Sequence, residues 1–145
     1  MRFRREEHLK GRKEIKEVFG NGKRYGCQGA KLFVLRNDLL YNRICFTFSR
    51  PSRGKRLSKE NQQPLWNAAA RNRAKRLGRE AYRLMKCRLE GGYDLIYLVY
   101  PDHLLSGAMA LHGTKQPHRA MHSYCSLSDK TRQLESLFKK AGLLK

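Results

Sequence analysis

The sequence predicts an α/β fold with its elements in the order helix, strands, helix, strand, helix. Three observations carry this reading. Between 67 and 86, apolar residues recur at Ala70, Ala74, Leu77, Ala81 and Leu84, spacings of four, three, four and three that make one stripe of an α-helix. Between 43 and 49, Ile44, Phe46 and Phe48 alternate with Cys45, Thr47 and Ser49, the period of a half-buried strand. Between 93 and 100 the chain is almost continuously apolar and aromatic, and Gly91-Gly92 and Pro101 bound this short run, which marks a buried central strand.

The remaining elements follow in chain order. Residues 9–19 set Leu9, Ile15, Val18 and Phe19 among charges and run into Gly20-Asn21-Gly22, whose tolerance of left-handed backbone makes a helix stop. Residues 31–35 read as a strand paired with 43–49, with turn chemistry at Asn37-Asp38 between them. Residues 50–66 are polar, basic and rich in breakers, a long loop before the 67–86 helix, which is the clearest in the chain despite Gly78. Residues 101–127 hold Gly, Pro and four of the five histidines without periodicity, a second long loop. Leu134, Leu137, Phe138 and Ala141 form a last helical stripe, with Ser128 or Asp129 as N-cap and Gly142 as stop. No segment repeats. At 145 residues the chain has material for one domain, 1–145, and too little for two substantial cores.

Lys and Arg number 32 against 12 Asp and Glu, a net charge of +20, while 40% hydrophobic residues is too many for a disordered tail. A folded cation of this size repels itself, and a polyanionic neighbour relieves that repulsion. Nucleic acid is the first candidate and an anionic membrane surface the second. No apolar run approaches membrane-spanning length, and the charged residues 1–8 have no apolar secretion segment behind them, so a cytoplasmic protein with no membrane partner is expected. Cys27, Cys45, Cys87 and Cys125 contain no C-x-x-C pair, which favours reduced, mostly buried thiols over a disulfide framework or a zinc ribbon.

On a helical wheel Arg71, Asn72, Lys75, Arg76, Arg79 and Arg83 fall opposite the apolar stripe, with Tyr82 on the same side as a stacking candidate. Guanidinium forks in such a strip grip phosphate oxygens bidentately, and Asn72 adds a directional hydrogen bond. The competing account is a solvated charged face. Glu80 is the sole acid between Arg71 and Arg83, so pairing within the helix cannot neutralise the strip, and nucleic-acid contact is the better reading. Arg73 points nearer the apolar edge, where it can pair with Glu80 or pack structurally.

The segment from Asn67-Ala68-Ala69-Ala70 through Arg71-Asn72-Arg73-Ala74-Lys75-Arg76-Leu77-Gly78-Arg79-Glu80-Ala81-Tyr82-Arg83 resembles the Arg-Asn-Arg signature of the bacterial ribonuclease P protein component. The resemblance extends to 9–22 with its Val-Phe pair, to 43–49, to 93–100 and to the Phe138-Lys139-Lys140-Ala141-Gly142 ending. It implies an α/β sandwich whose small mixed sheet contains a left-handed βαβ crossover, against the general right-handed rule. It implies two RNA-facing surfaces, the signature helix and a cleft between the first helix and the sheet that holds the single-stranded 5′ leader of precursor tRNA. Carried over by position are Arg71, Asn72, Lys75, Arg76 and Arg79, with Phe19 from the first helix; Arg50 keeps a charge where the family has Ser-Lys-Lys and this chain has Ser49-Arg50-Pro51. Other departures are Ile15 at a commonly aromatic position and the two long loops. The implied activity is endonucleolytic removal of the leader, carried out by an RNA subunit with Mg²⁺ held mainly by RNA, in a one-to-one complex with a monomeric protein.

No catalytic residue is assigned to the chain itself. Metal-dependent phosphodiesterases need clustered carboxylates, yet the adjacent acids here are Glu6-Glu7 in a basic terminus, and four of the five histidines lie in a loop with no scaffold. His118, His122 and Cys125, with His112 or a remote cysteine, have the spacing to begin a zinc site, but an ordinary polar loop is the better reading. Tyr93, Tyr97 and Tyr100 read as core or sheet-face residues rather than stacking platforms, and Phe19 as either core or cleft wall. The rival function is a basic ribosomal protein or other structural RNA-binding protein; a DNA-binding architectural protein ranks below, for lack of helix-turn-helix spacing or a minor-groove arm.

Overall fold

The computed structural model describes residues 2–49, 68–100 and 126–145, with side chains in the second stretch from Arg71 onward. Its elements are α1 (Arg12–Asn21), β1 (Lys23–Cys27), β2 (Ala30–Arg36), β3 (Arg43–Phe48), α2 (Ala68–Met85), β4 (Tyr93–Val99) and α3 (Leu127–Ala141). The strands form one mixed sheet in the order β1-β2-β4-β3, antiparallel except for the β3–β4 pair. The most apolar strand is central because both its faces are covered.

The expected direct pairing of 31–35 with 43–49 is wrong. β4 lies between them, hydrogen-bonded to β2 on one side and to β3 on the other. The segment around Asn37-Asp38 therefore crosses the end of β4 instead of closing a hairpin: Asn37 N donates to Gly92 O at 2.8 Å, and Asn42 Nδ2 donates to Glu90 O at 2.7 Å. The true hairpin joins β1 to β2 through Gln28 and Gly29, where Gly29 adopts a φ of 79° that tight two-residue turns demand. β1 has no clear sequence signal because Lys23-Arg24-Tyr25-Gly26-Cys27 is an edge strand with just Tyr25 and Cys27 turned towards the core.

Pleating divides the sheet into two apolar faces. Leu32, Val34, Ile44, Phe46, Leu95, Tyr97 and Val99 face α2 and α3, whose Ala81, Tyr82, Met85, Leu134, Leu137 and Phe138 complete the larger core. Phe33 and Ile96 face the other way and meet Leu9 and Val18, with Ile15, Phe19, Leu35, Cys45 and Leu98 packed around them. Helices on both faces make the sandwich, and α2 joins the parallel pair β3 and β4.

Several boundaries shift for physical reasons. Leu9 is buried ahead of α1, its amide donating to Ile44 O at 3.2 Å while His8 bridges to Ile44. Gly22 closes α1 with a φ of −70°, so no left-handed stop operates there. α3 is capped by Ser126, not by Ser128 or Asp129: the Asp129 amide donates to Ser126 Oγ at 3.1 Å, and the Ser126 amide donates in return to the Asp129 carboxylate. The loop read as 101–127 thus ends by Ser126. Gly142 is the left-handed stop expected, at a φ of 69°.

The buried line of α2 is rotated from the expected stripe. Ala74, Gly78, Ala81, Tyr82 and Met85 are buried, Leu77 is half-buried, and Leu84 is 51% exposed. Gly78 is the cause. A Cβ there would stand 2.9 Å from Phe46 Cδ1, so the bare backbone lets the helix lie directly on the sheet. Tyr82, expected on the cationic face, is instead 2% exposed and edge-on to Phe46, and burial pushes its hydroxyl pKa well up. The thiols are also less enclosed than expected: Cys27 and Cys45 are half-buried and Cys87 is exposed.

Candidate nucleic-acid interface

Because α2 buries its Gly78 side, the opposite side is presented to solvent from Arg71 onward. Arg71, Asn72, Arg73, Arg76 and Arg79 are exposed there. Lys75 is half-buried, with Nζ 5.7 Å from the Phe48 ring centre, which ties the strip to the end of β3. Arg83 is half-buried and meets Glu80 bidentately, Nε to Oε2 at 2.9 Å and NH2 to Oε1 at 2.5 Å. Glu80 therefore pairs with Arg83, not with Arg73, which is exposed. The Arg83 guanidinium holds the Glu80 carboxyl below its usual range, so the acid stays ionised and offsets one charge of the strip. Arg50, His112, His118, His122 and Cys125 lie outside the described residues.

Phe19 stands at the junction of α1 and the sheet. Phe19 is half-buried, its ring edge-on to Phe33 at 4.8 Å, a satellite of the smaller core. Of the two roles open to it from sequence, the packing contact is the one seen here. Beyond the α1 footprint the same sheet face continues through Lys31 on β2, Leu98 on β4 and Thr47 on β3, neighbours in register, with Lys31 exposed and the other two half-buried. Lys31 Nζ is 5.4 Å from the Tyr100 ring centre, and Arg24 Cζ is 5.7 Å from that of Phe33. Sequence reasoning missed both cations. The available signal was a Lys at an alternating position inside an otherwise apolar strand.

An ionic anchor fixes α1 over this face. Arg43 donates from Nε and NH2 to the two oxygens of Asp94 at 2.8 and 2.6 Å, and from NH1 to Glu14 of α1 at 2.6 Å. Asn37 Nδ2 adds a bond to Asp94 at 2.7 Å. Asp94 is buried, and these donors satisfy it. Its carboxylate and that of Glu14 push the Arg43 pKa upward.

Among the described residues no three His, Cys, Asp or Glu side chains stand close enough to hold a metal ion. Five of the described acids pair with cations: Glu7 with Lys86, Glu14 and Asp94 together with Arg43, Glu80 with Arg83, and Glu135 between Arg88 and Lys139. Burial pushes the Cys27 and Cys45 thiols up, away from the nucleophilic thiolate. The exposed cations of α2 can grip anions, and Arg24 and Lys31 add charge beside the apolar sheet face that α1 covers. No helix among the described residues is long and apolar enough to cross a membrane.

A sequence profile of the family described as Ribonuclease P matches residues 3–109. The Ribonuclease P protein component of Borreliella afzelii is 36% identical over 99 residues, 66% of this chain and 78% of the relative. That of Natranaerobius thermophilus is 40% identical over 90 residues, 62% of this chain and 67% of the relative. In three dimensions the RNase P protein of Staphylococcus aureus aligns with a TM-score of 0.63 over 96% of this chain and 98% of its own, at 17% identity. The RNase P protein of Thermotoga maritima aligns at 0.63 over 92% and 96%, at 19% identity. The structural likeness supports the fold and the profile spans most of the chain, including α1, the sheet and α2: this protein belongs to the Ribonuclease P protein family.

Proposed function

We propose that the chain is the RNA-binding subunit of a ribonuclease P, which in the cytoplasm pairs one protein with one catalytic RNA and removes the 5′ leader of precursor tRNA. The observation that carries this reading is the α2 face, where Arg71, Asn72, Arg76 and Arg79 stand exposed on the Arg-Asn-Arg segment of a member of this family. In the proposal these residues and Lys75 hold phosphates, Arg83 contributes from its place beside Glu80, and Arg50 extends the charge. The groove beside α1 takes the leader. Phe19 offers a ring face or edge to a base, while Lys31 and Arg24 line the backbone path. Hydrolysis is assigned to the RNA subunit, with Mg²⁺ held mainly by RNA, because among the described residues no three His, Cys, Asp or Glu side chains gather closely enough to hold a metal ion.

Binding of leader-bearing precursor and of mature tRNA to the reconstituted complex tests the reading. The proposal expects the protein to strengthen precursor binding selectively. A basic ribosomal protein or other structural RNA-binding protein would bind folded RNA without distinguishing the two, and that result would replace this function.

A further inference from the structure

Residues 2–10 form a strap along the open edge of β3. Phe3 packs edge-on against Tyr82 and Phe46, with ring centres 5.6 and 6.3 Å apart. Lys86 Nζ of the turn after α2 donates to Arg2 O at 2.6 Å and to Glu7 at 2.7 Å. The Arg4 amide donates to the other Glu7 oxygen at 2.8 Å, and the bridge from His8 and Leu9 to Ile44 holds the far end. These bonds use the backbone, Phe3 and Glu7, and they leave the side chains of Arg2, Arg4, Arg5 and Lys10 exposed around a shallow pocket floored by Phe3 and His8. Glu7 is taken by Lys86, so Glu6 is the acid left to oppose four cations there.

We propose that this strap, which reaches α2 where Phe3 packs on Tyr82, is a second phosphodiester-binding element that extends the α2 strip into one track for RNA backbone. The inference rests on the RNA-binding function proposed above. Its physical basis is preorganisation, since cations held on an anchored backbone lose less freedom on meeting a phosphate than those on a loose tail. His8 reports the field of both elements. Its imidazole lies against the Phe3 ring, 4.2 Å between centres, and its pKa is lowered by burial first, then by Arg79 of α2 and Lys10 of the strap, with Glu7 opposing; β3 meets it through Ile44, which carries no charge. An RNA phosphate seated between these cations offsets their field and raises the His8 pKa.

The test uses the full chain and its ribonuclease P RNA, with Arg4→Gln, Arg5→Gln and Lys10→Gln singly and together, and with Arg79→Gln as the α2 reference. Each strap cation removed should make the slope of log affinity against log salt shallower by roughly 0.7 to 0.9. Thermal melting should be unchanged, and the His8 ring-proton titration of wild type should move to higher pH when RNA is added. Repeating the series with leader-bearing precursor tells which RNA supplies the phosphates. Wild-type salt slopes in the strap variants while Arg79→Gln flattens its slope would overturn this inference alone. No RNA binding by the wild type would overturn it together with the function it rests on.

Discussion

Arg43 binds two carboxylates in different surroundings, so one guanidinium tests how burial sets the worth of an ion pair. The Asp94 side chain is 7% exposed, whereas that of Glu14 is 41% exposed. Arg43→Met removes both bonds to Asp94 and leaves its buried charge with the Asn37 amide at 2.7 Å. Breaking a buried pair from one side costs about 3 to 5 kcal/mol, and the remaining Asn37 bond places this case near the lower end. Glu14→Gln disturbs a solvent-screened pair and should cost about 0.2 to 1 kcal/mol. The double variant Arg43→Met/Asp94→Asn buries no uncompensated charge and should recover part of the first loss. Urea unfolding midpoints at constant slope provide the readout. A loss below about 1 kcal/mol for Arg43→Met, or further destabilisation when Asp94→Asn is added, would refute the assignment of Asp94 as a charge that depends on Arg43.

On α2, Arg76→Ala and Arg79→Ala should each flatten the salt dependence of RNA affinity by a little under one unit while leaving thermal unfolding in place. Met85→Ala, which empties a buried site in the larger core, should do the reverse, costing roughly 2 to 5 kcal/mol of stability with the slope intact. Phe19→Ala should weaken leader-bearing precursor by about 1 to 3 kcal/mol and spare mature tRNA; equal losses for both would make Phe19 purely a packing residue. Ser126→Ala removes the cap of α3 and should lower stability by about 1 kcal/mol in the same urea assay.

The elements were legible where one residue type decides the outcome. The α2 periodicity, the unbroken run of β4 and the left-handed Gly142 follow from local pattern and backbone sterics. Strand neighbours did not follow, because period-two alternation in 43–49 says which side chains share a face and nothing about which strand lies alongside. β1 was hidden by its edge position, where polar Lys23 and Arg24 cost nothing in a solvated row. On α2 the pattern counted Leu84 as core and Tyr82 as surface, since hydropathy gives no weight to Gly78, yet the missing Cβ rotates the buried line towards Tyr82. The cationic strip was readable from sequence as a face. Its internal pairing of Glu80 with Arg83, and the strap that reaches α2 through Phe3 on Tyr82, depend on tertiary packing that spacing does not encode.

Cleavage of a precursor tRNA by the reconstituted complex tests the central claim most directly. Rigorously RNA-free protein, ribonuclease P RNA alone and the two together would be compared in Mg²⁺ low enough that the RNA alone is slow. The account predicts no product from the protein, a trace from the RNA, and rapid release of the intact 5′ leader from the mixture, with the stimulation reduced by Arg76→Ala/Arg79→Ala. Cleavage by the protein without RNA, or a mixture no faster than the RNA by itself, would contradict it.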